Sequence, residues 1–180
     1  MKREKLKKLK IISVFIITAL AFISHFVYDV FPCTLTAIFF PVNESIWEHM
    51  KILTVPILIN SVIEYIILYK KNIRYNNFVF NLFISSTAIV PIYLVMFLPL
   101  YNKFGESMFL SISIMIISII ISQIISYYIL KSKNLKLEKI SFVLIIIVLI
   151  VYGYLTYNPI KTHLFFDTVE EKYGLNDYNI

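Results

Sequence analysis

Each of the three histidines in this 180-residue sequence has a carboxylate nearby, a combination that suits metal binding or acid–base chemistry. Asp29 follows His25 by four residues, Asp167 follows His163 by the same interval, and Glu44 precedes Glu48, the neighbour of His49, by four residues. On a helix, this spacing places two side chains on one face, one turn apart. The full set of candidate residues is His25, Asp29, Glu44, Glu48, His49, His163 and Asp167.

Imidazole and carboxylate groups together are ligands for zinc, manganese or non-haem iron. All seven residues are therefore predicted metal ligands, and the cofactor that they suit is a divalent metal such as zinc. The same groups also suit proton transfer, because a carboxylate beside an imidazole orients it and tunes its basicity. The candidate catalytic residues are Glu48, His49, His163 and Asp167.

Structural roles compete with these functional ones. The spacing of Ser45 and Glu48 matches the capping box that begins a helix, in which a serine is followed three residues later by a glutamate. Trp47 would then anchor the helix at a membrane interface, and Lys51 would extend toward water and pair with Glu48. The capping box alone accounts for the position of Glu48.

The two remaining pairs also have structural interpretations. His25 with Asp29 would serve as a hydrogen bond between helices. His163 with Asp167 would equally fit a solvated tail. The spacing of any one pair does not decide between these roles, whereas a common location for all three pairs favours function.

The composition predicts the elements that must position these residues. Hydrophobic residues make up 59% of the chain and charged residues 16%, which excludes a soluble globular domain, a disordered chain and a disulfide scaffold. The long apolar runs are Ile11–Val30, Ile46–Tyr69, Phe78–Leu98, Met108–Leu130 and Ile140–Tyr157. Runs of this length cross a membrane as helices, because lipid offers no hydrogen bonds to the backbone. We therefore predict an all-α, polytopic transmembrane bundle of five spans in one domain, residues 1–180, with a tail over 158–180.

The basic residues predict the direction of the spans. Thirteen of the 17 lysines and arginines fall in Lys2–Lys10, Lys70–Arg74 and Lys131–Lys139, which five spans bring to one side. The positive-inside rule places that side, and the N-terminus, in the cytoplasm, with the C-terminus outside the cell membrane. All three histidines then lie at or near the extracytoplasmic face. Ala19–Ala21 also fits a signal-peptide cleavage site, but the apolar run continues past it, which favours an uncleaved first helix.

Glu64 is predicted to lie apart from the histidines, in the cytoplasmic half of the second span. A helix rises 1.5 Å per residue, so this glutamate is about 24 Å from Glu48. We expect it to pair with Lys70 or Lys71, the alternative being a separate proton or ion step. The other polar residues that a transport path would use are Asn60, Asn81 and Gln123.

Three stretches carry a resemblance to a known family. The segment Pro41–Lys51 reads PVNESIWEHMK, His25–Asp29 reads HFVYD, and His163–Asp167 reads HLFFD with Tyr173 and Gly174 following. Together they resemble the signature of a family of small bacterial integral membrane proteins of unknown activity. The resemblance covers most of the chain and implies a fold and a set of suspect residues, but no reaction. This sequence has aspartate at 29, where the resemblance implies glutamate.

Three functional hypotheses follow. The first is a membrane-embedded hydrolase with a metal or acid–base site at the outer face, acting on an amphiphilic substrate. The second is a small transporter or transporter subunit, and the third is a structural membrane protein without a catalytic site. Membrane lipid is the expected partner. The sequence indicates no nucleic-acid binding, and it does not identify a protein partner.

Overall fold

A computed structural model describes residues 2–73, 75–105 and 107–175 of the chain. Its elements are α1 (Lys2–Val30), α2 (Thr34–Phe39), α3 (Ile46–Lys70), α4 (Phe78–Phe104), α5 (Met108–Lys131), α6 (Glu138–Tyr157), β1 (Phe166–Asp167) and β2 (Lys172–Tyr173). The two short strands form an antiparallel hairpin in the tail. The prediction of an all-α bundle is therefore confirmed.

Five of these helices, all except α2, are long and apolar enough to cross a membrane. Their bounds agree with the predicted spans except at two ends, because α1 begins nine residues earlier and α4 ends six residues later than predicted. Hydropathy locates only the part of a helix that lies in hydrocarbon. The first turns of α1 continue as a helix because Leu6 and Leu9 are buried while Lys5, Lys7 and Lys8 are exposed.

The alternating direction of the spans gives the bundle two distinct ends. The histidine end holds the last turns of α1, the beginning of α3, the last turns of α6 and the tail. The lysine end holds the beginnings of α1, α4 and α6 and the last turns of α3 and α5. The short helix α2 lies at the histidine end and packs against α6 and α1.

Four helices enclose the core of the bundle. In the order α1, α3, α4 and α5, each contacts the next, and α5 contacts α1 again, which closes the ring. Each of these helices contributes a buried isoleucine near its midpoint to the same apolar cluster. These residues, here called the isoleucine layer, are Ile17, Ile57, Ile89 and Ile119. The remaining helix, α6, packs against α4 from outside the ring.

A buried ion pair joins α1 to α3 in the half of the bundle toward the lysine end. Lys10 Nζ lies 2.6 Å from Glu64 Oε2 and 2.8 Å from Oε1, and the Ser13 hydroxyl donates to Oε1 at 2.6 Å. The prediction that Glu64 pairs with Lys70 or Lys71 is therefore wrong. Those lysines end α3 in exposed positions, where water hydrates their charge, whereas Lys10 and Glu64 are both buried and need each other.

Removing one member of this pair should destabilise the bundle more than removing both. Lys10→Met leaves the Glu64 carboxylate buried without its counter-charge, at a cost of about 3–5 kcal/mol. The double variant Lys10→Met/Glu64→Leu removes both charges and should recover most of that loss. Thermal unfolding in detergent measures both variants. A double variant no more stable than Lys10→Met would contradict this account of the pair.

Candidate functional site

Two histidines and one glutamate meet at the histidine end. His49 Nε2 lies 3.3 Å from Glu44 Oε2, and His25 Nε2 lies 3.9 Å from the same oxygen. One ligand atom from each residue lies within 4.8 Å of the other two. The rings of His25 and His49 contact edge to face, with centroids 5.3 Å apart. The three side chains are each partly exposed, so an ion or a substrate could reach them.

The protonation pattern of His49 is set by the backbone beside it. His49 Nδ1 lies 2.9 Å from the carbonyl oxygen of Ser45. A carbonyl oxygen only accepts, so Nδ1 must carry the proton in that contact. Nε2, which points toward Glu44, is therefore free either to bind a metal through its lone pair or to take a second proton.

The loop before α3 holds Glu44 in place. The Ser45 side chain caps α3 by accepting a hydrogen bond from the backbone N–H of Glu48 at 3.3 Å. The Asn43 side chain accepts from the backbone N–H of Ser45 at 3.0 Å. The spacing of four residues between Glu44 and Glu48 suggested a shared helical face. The structure does not place them on one, because Glu44 lies before the beginning of α3.

Glu48 is placed away from the histidines, in a buried network. It pairs with Lys51 at 2.6 Å and accepts from the Thr156 hydroxyl at 2.9 Å and from the backbone N–H of Val42 at 3.1 Å. The capping box is thus only half formed, because the Glu48 side chain binds Val42 instead of Ser45. Lys51 is fully buried and does not extend toward water.

Asp167 is also buried, and it fixes the backbone around the site. Its carboxylate accepts hydrogen bonds from the backbone N–H groups of Glu44 at 2.9 Å, Val169 at 2.7 Å and Glu170 at 3.1 Å. It follows a turn and lies in β1, so it and His163 are not on one helix face. Through its hydrogen bond from the Glu44 N–H, Asp167 positions the loop that carries Glu44.

The tail crosses the beginning of α3 and covers it. Leu164 accepts a hydrogen bond from the backbone N–H of Trp47 at 2.9 Å, and Phe165 stacks on the Trp47 ring with centroids 4.7 Å apart. Further along the tail, Gly174 accepts from the Asn43 side chain at 3.2 Å. Residues 163–174 therefore belong to the site, although they lie more than a hundred residues from Glu44 in sequence.

A cavity of about 120 Å³ opens beside the histidines. Glu44, His49 and His163 line it together with an aromatic face on α4. That face consists of Tyr93, Phe97 and Tyr101, whose successive ring centroids lie 5.0 and 5.3 Å apart. The sequence reasoning missed these aromatics, although their spacing of four residues was a usable signal.

The seven predicted site residues thus separate into groups. The structure brings together His25, Glu44 and His49, and it places His163 at the adjoining cavity with an exposed side chain. Glu48 and Asp167 are engaged in other contacts. Asp29 is exposed, one turn beyond His25, and lies outside the three-residue group.

The electrostatics of the group follow from its contacts. A hydrogen bond from His49, together with the charges of His49 and His25, holds the pKa of the Glu44 carboxyl below its ordinary value. Partial burial acts in the opposite direction but does not prevail. Glu44 is therefore ionised over the physiological pH range and is available as an anionic ligand.

Comparison with known proteins yields one match. A family model described as a family of unknown function (DUF6512) matches residues 1–175. No curated protein and no solved structure matches the chain.

The lowered pKa of Glu44 predicts a pH dependence of stability. A carboxyl whose pKa is lower in the folded state stabilises the fold above its unfolded pKa, and this contribution is lost as the pH falls through the folded value. Below about pH 4, wild type should therefore lose stability more steeply than His49→Ala, in which Glu44 lacks its main partner. Thermal unfolding between pH 3 and 7 measures this, with His163→Ala as the control. Parallel profiles for wild type and His49→Ala would exclude the linkage.

Proposed function

The chain belongs to the DUF6512 family, whose function is unknown, and from the geometry of its own site we propose that it is a membrane-embedded, metal-dependent hydrolase. The metal is a divalent ion such as zinc, bound by His25, Glu44 and His49. The observation that carries this proposal is the convergence of three ligand atoms within 4.8 Å beside a cavity that His163 also lines.

The donor set fits zinc in both type and spacing. Two imidazoles and one carboxylate with a fourth position open form a donor set of catalytic zinc sites. Bonds of about 2.0–2.2 Å in a tetrahedral site put neighbouring donor atoms about 3.3–3.6 Å apart. The separation of His49 Nε2 from Glu44 Oε2 is 3.3 Å. His25 Nε2, at 3.9 Å from the same oxygen, needs only a small side-chain movement.

The surroundings of the ligands favour a metal over a plain ion pair. The contact of His49 Nδ1 with the Ser45 carbonyl fixes the tautomer whose Nε2 lone pair faces Glu44. Asp167 binds the backbone of Glu44 and so restricts the loop that carries the anionic ligand. Ligands held in advance in this way bind a metal with less ordering cost.

The location suggests the substrate class. The cavity combines the polar groups of Glu44 and His49 with the aromatic face on α4, and it lies at one end of the apolar spans. An amphiphile fits such a site, with its apolar part against the aromatic rings and its ester group at the metal. The lysine distribution favours the extracytoplasmic side of the cell membrane for the histidine end.

The proposed reaction is ester hydrolysis. A zinc ion held by His25, Glu44 and His49 would lower the pKa of water beside it, and His163 would accept a proton as that water attacks the acyl carbon. The bond from that carbon to the leaving oxygen breaks, and the leaving oxygen takes the proton from His163 as the alcohol departs. One water and one ester thus give one carboxylic acid and one alcohol.

The transporter alternative receives less support. A transport path would have to join the histidine site to Glu64 through the ring of four helices. The isoleucine layer lies between these two polar regions and contributes a buried apolar residue from each helix, and the hydroxyls of the buried Ser86 and Ser118 nearby are engaged by backbone carbonyls of their own helices. This barrier favours a site that works from one end of the bundle.

Zinc binding tests the site directly. Purified protein titrated with zinc should bind about one ion, and His25→Ala, Glu44→Gln and His49→Ala should each weaken binding by about tenfold or more. Affinity should fall below about pH 6.5, because protons compete for the imidazoles. Asp29→Asn and His163→Ala, which leave the three ligands intact, are the matched controls. Equal zinc binding by the ligand variants and by wild type would refute the site.

Hydrolysis is tested separately from binding. Zinc-loaded protein in mixed micelles should cleave a fluorogenic long-chain acyl ester, and His163→Ala should lower kcat by about a hundredfold or more while still binding zinc. His163→Ala with full activity would remove His163 from the mechanism. Zinc binding without any esterase activity would leave a metal site and reject the hydrolase.

A further inference from the structure

A second group of polar residues lies inside the bundle, away from the histidine site. Four side-chain oxygens there are buried and accept no hydrogen bond from any residue that the structure describes. They belong to Asn60, Asn81, Gln123 and Ser126, whose exposed fractions are 1–4%. Leaving a polar atom without a hydrogen bond in an apolar interior is strongly unfavourable, so we expect each of these atoms to have a hydrogen-bond partner.

The contacts between α4 and α5 place two of these residues at one depth. The Asn77 side chain at the beginning of α4 donates to the carbonyl of Ile129, and the Ser122 hydroxyl donates to the carbonyl of Ser85. Asn81 lies midway between Asn77 and Ser85, one helical turn from each. It is therefore level with the turn of α5 that carries Ser126.

The other two helices of the ring reach the same depth. Asn60 lies one turn before Glu64 on the same face of α3, and Glu64 is paired with Lys10 of α1. Since α1, α3, α4 and α5 form a closed ring, buried side chains at this level face a shared interior. The polar layer, as it is called here, consists of Lys10, Asn60, Glu64, Asn81, Gln123 and Ser126.

Apolar side chains close the polar layer on both sides. On the helices of the ring, the isoleucine layer lies about one to two turns further toward the histidine end, three residues from Asn60, four from Gln123, seven from Lys10 and eight from Asn81. Toward the lysine end, a separate buried cluster includes Leu6 and Leu9 of α1, Leu68 of α3 and Leu130 of α5. The unsatisfied oxygens of the polar layer are thus buried between two apolar clusters.

The charge balance decides what can fill this space. The three amide oxygens only accept, whereas the Ser126 hydroxyl can donate one proton, so at least two amide oxygens still need either a cation or a neutral donor. Lys10 already neutralises Glu64, so a cation would add an uncompensated charge to the bundle interior, which costs several kcal/mol. Water carries no charge and offers two donors per molecule. A buried water typically makes about three hydrogen bonds to polar groups that lack other partners.

We propose that the polar layer is an internal hydration site, in which water bridges the amide oxygens of Asn60, Asn81 and Gln123 and the Ser126 hydroxyl beside the Lys10–Glu64 pair. The water is enclosed between the isoleucine layer and the leucines of the lysine end. It exchanges with solvent only when one of these apolar layers opens. This site is independent of the metal proposed at the histidine end.

Radiolytic labelling of wild-type protein in detergent tests the site without any substitution. Bound water activated in place should label Ile57, which lies next to Asn60, several-fold more than Ile52, which is on the same helix and similarly buried. Equal labelling of the two isoleucines would overturn the proposal.

Apolar substitution gives the second test. Asn81→Leu and Gln123→Met each remove an amide oxygen that has no hydrogen-bond partner among the described residues, so a dry interior would leave Tm unchanged or raise it. With bridging water, each change strands the remaining partners, and Tm should fall by about 3 °C or more. The measurements are repeated in sodium, potassium and choline chloride at equal ionic strength. A rise in Tm specific to sodium or potassium would show that a cation fills the layer and would reject water.

Discussion

The ion pair between Glu48 and Lys51 is the contact on which the histidine end depends. Lys51 Nζ donates to Glu48, to the Thr156 hydroxyl of α6 and to the backbone carbonyls of Ala37 and Phe40. One buried ammonium thus joins α2, α3 and α6. Every charge and donor in the network finds a partner, as burial in an apolar bundle requires. Because this network fixes the first turns of α3, it also fixes the direction in which His49 points.

The tail also holds the beginning of α3 and the loop before it in place. The Asp167 carboxylate accepts hydrogen bonds from three backbone N–H groups, one of which belongs to Glu44, and the Phe165 ring stacks on Trp47. The two buried carboxylates therefore have positioning roles, while the partly exposed Glu44 remains free to bind a ligand. This division follows from solvation, since a buried carboxylate must be satisfied by the protein and has little capacity left for an ion.

The bundle contains two polar regions separated by an apolar one. The histidine site opens to a cavity at one end, whereas the polar layer near Lys10 and Glu64 is buried between two apolar clusters. Between them the isoleucine layer belongs to one apolar cluster, to which all four helices of the ring contribute in mid-bundle. Lys10 and Glu64 neutralise each other within the polar layer, and the water proposed there would serve the oxygens that lack a partner.

The sequence by itself determined the number of long helices, their limits to within a few residues at most ends, and the serine cap on α3. These features depend on hydropathy and on contacts between neighbours in sequence, so local patterns are enough to predict them. It also placed the histidines at one end of the bundle, because five spans of known length alternate in direction.

Only the tertiary structure decided which carboxylate meets the histidines. The spacing rules favoured Asp29, Glu48 and Asp167 equally with Glu44, since each lies near a histidine in sequence. Glu44 is the carboxylate that meets the histidines because the others are placed elsewhere. Lys51 engages Glu48, and backbone N–H groups of the tail engage Asp167. Asp29 is exposed, one turn beyond His25. In the sequence, Lys10 served only to orient the spans. Its pairing with Glu64 could not be predicted, because the pair forms only when α1 and α3 pack side by side. Helical periodicity describes neighbours within one helix, whereas the partners of a buried charge are set by how different helices pack.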